Sequence, residues 1–117
     1  MGVRGFVSRV KQSTEDADRQ KLTAFCDGLG CTSLDQLPLR VPVRFAGEVT
    51  SLRIVPRAGA PAVEITVKDG HGVAVAVFLG RGRVHGLTPG RRLILEGVAI
   101  AEGNENVVYN PTYELLA

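Results

Sequence analysis

Apolar and polar positions alternate from Pro42 almost to the end of the chain, whereas the first forty residues follow a helical spacing. In that opening part, Ser13-Thr14-Glu15-Asp16 offers an N-cap with acids in the first turn, and Ala17, Leu22, Ala24 and Phe25 form a short apolar face before Gly28 and Gly30. The spacing predicts a helix from Glu15 to Cys26. Ser33 to Leu37 predicts one further turn, which Pro38 helps to close.

Val43 to Val49 alternates, but the apolar parity then shifts to Leu52 and Ile54. A strand that keeps its inner face across this shift needs a bulge or sharp coil between Gly47 and Ser51. Ala62 to Lys68 is a half-buried strand with Val63, Ile65 and Val67 on one face and Glu64, Thr66 and Lys68 on the other. Asp69-Gly70 is a hairpin turn signal, followed by a strand from Val73 to Leu79 with two apolar faces. Arg92 to Ala99 and Asn106 to Leu115 add two more, separated by the polar turn Glu102 to Glu105. Five short strands in an open sheet would leave two raw edges, and closure removes them. The expected fold class is therefore mainly β: a five-stranded Greek-key OB-fold barrel over residues 40–117, preceded by an N-terminal helical arm over residues 1–39.

A chain of 117 residues suits one core, and its 44% hydrophobic and 22% charged composition is that of a soluble globular protein. No apolar run reaches the roughly 18 residues of a membrane span. The opening MGVRGFVSRVKQ has no apolar stretch behind its charges, so a cytoplasmic setting is expected, with Cys26 and Cys31 reduced and acting as small apolar or loop residues. Net charge is only +2, but it is unevenly spread. Residues 1–39 balance five basic against five acidic side chains, whereas Gly70 to Leu95 holds four arginines and no acid.

Several stretches look like the OB-fold wedge domain of RecG-type DNA helicases. They are VEITVKDGHG (Val63 to Gly72), Val77-Phe78-Leu79, PGRRLILEG (Pro89 to Gly97) and NPTYEL (Asn110 to Leu115), and the likeness runs from Val43 to Leu116. The first and third are generic to nucleic-acid-binding OB domains. The last is more telling, although Asn110 stands where that family commonly has a histidine. The resemblance implies a barrel that touches DNA, in that family at a branch point, with Ala74, Ala76 and Phe78 inward. Pure alternation instead directs Val73, Val75, Val77 and Leu79 inward. The chain has no G-x-x-x-x-G-K-[ST] motor signature.

Candidate phosphate contacts are Arg53 and Arg57 on the connection between the first two strands, and Arg81 and Arg83 just after the third. Lys68 would add charge on the second strand, and Tyr109 or Phe78 would offer a surface on which bases stack. Each has a bland alternative: solvated arginines, and aromatics that belong to the core. In the connection from Gly80 to Arg92, which in OB barrels often carries a short helix, Val84 and Leu87 are candidates to plug the core. No dinucleotide fingerprint, zinc-ligand spacing, triad or carboxylate pair stands out, so neither a cofactor, a metal nor an enzymatic activity is expected. The preferred expectation is non-catalytic binding of single-stranded or branched DNA, with affinity falling steeply as salt rises. The alternative is a protein-interaction or oligomerisation module using the apolar side of the third strand and the N-terminal helix.

Overall fold

The computed structural model describes the backbone of residues 3–116 and the side chains of residues 15–116. The opening Met1 to Gln12, on which the expectation of a cytoplasmic setting rests, lies outside the described side chains. Helix α1 runs over Val3–Asp27, twelve residues further toward the N-terminus than the predicted start at Glu15. Ser13 and Thr14 sit inside it, since in a helix interior these residues cost only about 0.5 kcal/mol relative to alanine. A single 3-10 turn follows at Leu34–Gln36, as the Ser33 to Leu37 pattern predicts.

Six strands follow: β1 (Pro42–Arg57), β2 (Ala60–Lys68), β3 (Val73–Leu79), β4 (Arg92–Glu102), β5 (Glu105–Tyr109) and β6 (Thr112–Leu115). Five of them form a ring in the order β1-β2-β3-β5-β4, closed where Pro42–Glu48 of β1 pairs with Arg92–Val98 of β4. β3 and β5 are parallel and the other neighbours antiparallel. The expected irregularity in β1 is present as a register shift between Val49 and Ser51. It keeps Phe45, Val49 and, in part, Leu52 on the inner side. Gly47 lies where β1 crosses β2 closely: a Cβ there would stand 2.7 Å from the Lys68 carbonyl oxygen.

The last predicted strand is divided. Asn110 takes a left-handed φ of 51° and Pro111 has no N–H for a ladder, so the chain leaves β5 and re-pairs as β6 with the other half of β4. No helix forms between Gly80 and Arg91, yet Val84 and Leu87 plug the core as expected.

Inside the ring, Phe45, Val63, Ile65, Val67, Leu93, Leu95 and Val108 are almost fully buried. On β3 it is Ala74, Ala76 and Phe78 that face this core, so the register implied by the resemblance holds and pure alternation does not. Leu34 and Leu37, counted in the sequence with the helical arm, also close one end of this core. Outside the ring, Leu22 and Cys26 of α1 pack on Ala46 and Ile94, and the Arg92 guanidinium lies 4.4 Å from the Phe25 ring centroid. Burial pushes the Cys26 thiol up to about 11, which keeps it protonated and unreactive at neutral pH. No described helix is long and apolar enough to cross a membrane.

The β2–β3 turn ties helix to ring. His71 Nε2 is 3.0 Å from Asp27 Oδ1 at the end of α1, and this contact raises the imidazole pKa above its ordinary value. A raised folded-state value means the contact stabilises fully below the unfolded pKa of about 6.5 and is lost as pH rises through the folded one. Exchange of the backbone amides in the last turns of α1 is therefore expected to quicken between pH 6 and pH 8, beyond the intrinsic rate, in the wild type but not in His71→Gln. Identical profiles would show that the contact does not hold the helix.

Candidate nucleic-acid interface

β1 and β2 are joined by the tight turn Ala58-Gly59, whose φ angles of 51° and 79° are those of a hairpin with two left-handed residues. Because Arg57 pairs with Ala60, Arg53 falls opposite Glu64. The row continues through Val77 of β3 to Tyr109 of β5, so one line of side chains crosses four strands on the outer face. Beneath it lies an apolar floor of Ala62, Val75, Val77 and Val107, flanked by Val55, Ile100 and Tyr109.

Over this floor the polar groups form a chain. Arg53 Nη2 donates to Glu64 Oε1 at 2.5 Å and Arg57 Nη2 to Glu64 Oε2 at 3.2 Å. Arg57 Nη1 donates to the Tyr109 hydroxyl at 3.1 Å, which itself donates to Glu102 Oε1 at 2.7 Å. Glu64 is only 8% exposed, yet its carboxyl is held below the ordinary range, first by the hydrogen bond from Arg53 and then by that from Arg57. The same bonds raise both arginines, and the bond to Glu102 raises the Tyr109 phenol. The ε-nitrogen of Arg57 is buried without a partner among the described residues.

This arrangement corrects several sequence expectations. Arg53 and Arg57 do reach the surface together, but one carboxylate sits between them and offsets half their charge. Tyr109 is tied at its hydroxyl by two neighbours and packs against the floor, so its ring is not a free stacking platform. Phe78 is 3% exposed, with its ring edge-on to Tyr113 at 5.7 Å, and cannot meet a base. Lys68 stands at the far end of β2, eight residues from Ala60 at its start or about 26 Å at strand rise, opposite Glu48. It lines a separate cleft between α1 and the β2–β3 turn. The apolar side of β3 is covered by the chain itself only in its middle, where Val75 and Val77 are at most 4% exposed, whereas Val73 and Leu79 at its two ends are exposed.

Arg81 and Arg83 stand just after β3. Both are exposed, in the turn that follows β3, and neither has a carboxylate within 4 Å among the described residues. Gly82 between them lies against the β1–β2 hairpin, the position of a Cβ there being 3.9 Å from Pro61. All four arginines thus share one end of the ring. Arg92 is placed elsewhere, under α1.

Next to Arg81 the wall of the ring parts into a cleft of about 450 Å³, lined by Leu79, Arg81, Asn110, Thr112 and Tyr113 with Phe78 at its floor. Asn110 was not among the candidate residues. Its left-handed backbone turns the chain, and its Oδ1 accepts from the Leu79 N–H at 2.8 Å. Tyr113 donates from its hydroxyl to the His85 carbonyl at 3.0 Å, pinning the turn over the core. Set beside known proteins, the chain matches no protein-family model and no curated protein.

Proposed function

We propose that this chain is a non-catalytic nucleic-acid-binding protein of the OB-fold kind, similar to the wedge domain of RecG-type helicases, and that it binds single-stranded or branched DNA. The ring order β1-β2-β3-β5-β4, the parallel β3–β5 pair and the long irregular first strand support the Greek-key OB assignment. What carries the binding reading is the approach of Gly82 to Pro61 at the β1–β2 hairpin, which sets two arginines without acidic partners among the described residues at the same end of the ring as Arg53 and Arg57. Phosphates would be met by Arg81, Arg83 and the outer donors of Arg53. Stacking contributes little, because Phe78 and Tyr109 are engaged.

Two or three phosphate contacts give a salt dependence far shallower than the sequence suggests, with a slope of log affinity against log salt of about −1.5 to −2 for a single strand. Fluorescence anisotropy with labelled single-stranded, forked and duplex oligonucleotides over a salt series tests this. Changing Arg81 and Arg83 together to alanine is expected to weaken binding about tenfold at low salt and to flatten the slope by about 1.4. A variant whose isotherm and slope match the wild type would remove the reading.

A further inference from the structure

β6 pairs on one side only. Leu116 N donates to Arg92 O at 2.9 Å, so by the alternation of an antiparallel ladder Thr112 and Glu114 turn their backbone groups toward β4. The N–H and C=O of Tyr113 and Leu115 then point away from it, and no backbone group among the described residues bonds to them. β1 beyond its register shift is also paired on one side only, but it carries Pro56, which has no N–H to offer, next to its last residue Arg57.

The Thr112–Tyr113 end of the β6 edge borders the cleft beside Arg81. β3 and β5 pair only from Val75 to Val77, and beyond that point the Asn110 side chain replaces a backbone carbonyl as the partner of Leu79 N. Pro111 then carries the chain away, leaving the gap unbridged. No acidic residue lines it, and Arg81 stands in its wall without a carboxylate partner among the described residues.

We propose that this cleft receives an extended acidic segment of a partner protein, which adds as a strand to the Tyr113 and Leu115 edge and sets a carboxylate on Arg81. The edge offers donors and acceptors in alternation, which a peptide backbone matches group for group. A phosphodiester chain carries acceptors only and would leave both carbonyls unpaired. The inference goes beyond the DNA-binding reading and stands without it, although both use Arg81.

The probe is a fluorescent octapeptide of alternating glutamate and valine, with a lysine-for-glutamate version and two versions N-methylated at alternate residues, one in each register. The glutamate peptide is expected to bind and to slow amide exchange at Tyr113 and Leu115, read by ¹⁵N NMR, by about tenfold at saturation. The lysine peptide fails to bind, methylation in one register abolishes binding while methylation in the other does not, and Arg81→Glu weakens it at least fivefold (roughly, for one lost ion pair and one repulsion). A single-stranded oligonucleotide, held by the same arginine, leaves both amides exchanging at the free rate. Absent protection, equal behaviour of the two methylated peptides, or equal protection by the oligonucleotide would each overturn the proposal.

Discussion

Asp69→Ala is expected to destabilise the protein by about 3 kcal/mol and to lower its Tm by on the order of 10 °C. The Asp69 side chain is 2% exposed, and its two oxygens serve three backbone amides. Oδ1 accepts from His71 N at 2.8 Å and Gly72 N at 2.9 Å, closing the β2–β3 turn. Oδ2 accepts from Leu34 N at 2.8 Å and so holds the Leu34–Gln36 turn, whose Leu34 is 2% exposed in the core. The fit is close: a Cβ on Gly72 would stand 2.8 Å from Asp35 N. Water can reach the amides of the β2–β3 turn in an alanine variant, but the amide of Leu34 is buried and would be left without a partner. Asp69→Asn separates the two halves, because its amide nitrogen must face one set of N–H donors. It is expected to lose about half as much. Urea unfolding with unchanged m-values measures both, and an alanine variant within 0.5 kcal/mol of the wild type (about the scatter of surface substitutions) would show that the carboxylate does not hold the turn.

That residue marks a limit of what the linear pattern discloses. Asp69-Gly70 signals a turn in the sequence and a turn is present, but the contact with Leu34 spans 35 positions and leaves no periodic trace. Local signals elsewhere were legible because they arise from one strand at a time. The parity shift after Val49 forces a bulge wherever the inner face is buried, and Val63, Ile65 and Val67 alternate because Glu64, Thr66 and Lys68 cannot face the core. β3 resisted this logic because both its faces are apolar: its alanines and Phe78 fill the ring while Val75 and Val77 lie under the side chains of neighbouring strands. The end of the last strand was obscured in a different way. Asn110-Pro111 is a breaker in the sequence, but the strand on either side stays in contact with β4, so the pattern runs on while the partner half changes.

The site was half legible. Arg81 and Arg83 could be singled out from charge alone because no acid stands near them in sequence and no carboxylate among the described residues pairs with them. The fate of Arg53 and Arg57 depended on a register. Once Ala58-Gly59 is taken as a two-residue turn, pairing Arg57 with Ala60 and counting back brings Arg53 onto Glu64, so the neutralising carboxylate was accessible to arithmetic that a longer loop conceals. The clash of Phe78 with its proposed role follows from the same ambiguity as the rest of β3.

Glu64→Gln is the change that acts most directly on the proposed interface. Its expected effect is a gain: about tenfold tighter binding of single-stranded DNA at 50 mM salt, with the salt slope steeper by about 0.7, equivalent to one further phosphate. In the wild type the carboxylate stands between the two guanidiniums where a phosphate would otherwise sit, and the donors that face it cannot serve both. Glutamine keeps the shape and one acceptor but removes the charge. The two arginines then repel each other more, which lowers the Tm by a few degrees, and their donors turn to an external anion. Acidification provides an internal control. Because Glu64 titrates below the ordinary carboxylate range, it stays charged at neutral pH, and whatever it contributes to stability is lost as pH falls through its folded value. The wild type should therefore approach the variant's affinity only at a pH below the ordinary carboxylate range, where the carboxyl protonates while the phosphates remain ionised. If Glu64→Gln binds no better than the wild type at neutral pH while Arg81→Ala still weakens binding, the hairpin end of the ring lies outside the DNA path and only the turn after β3 belongs to it.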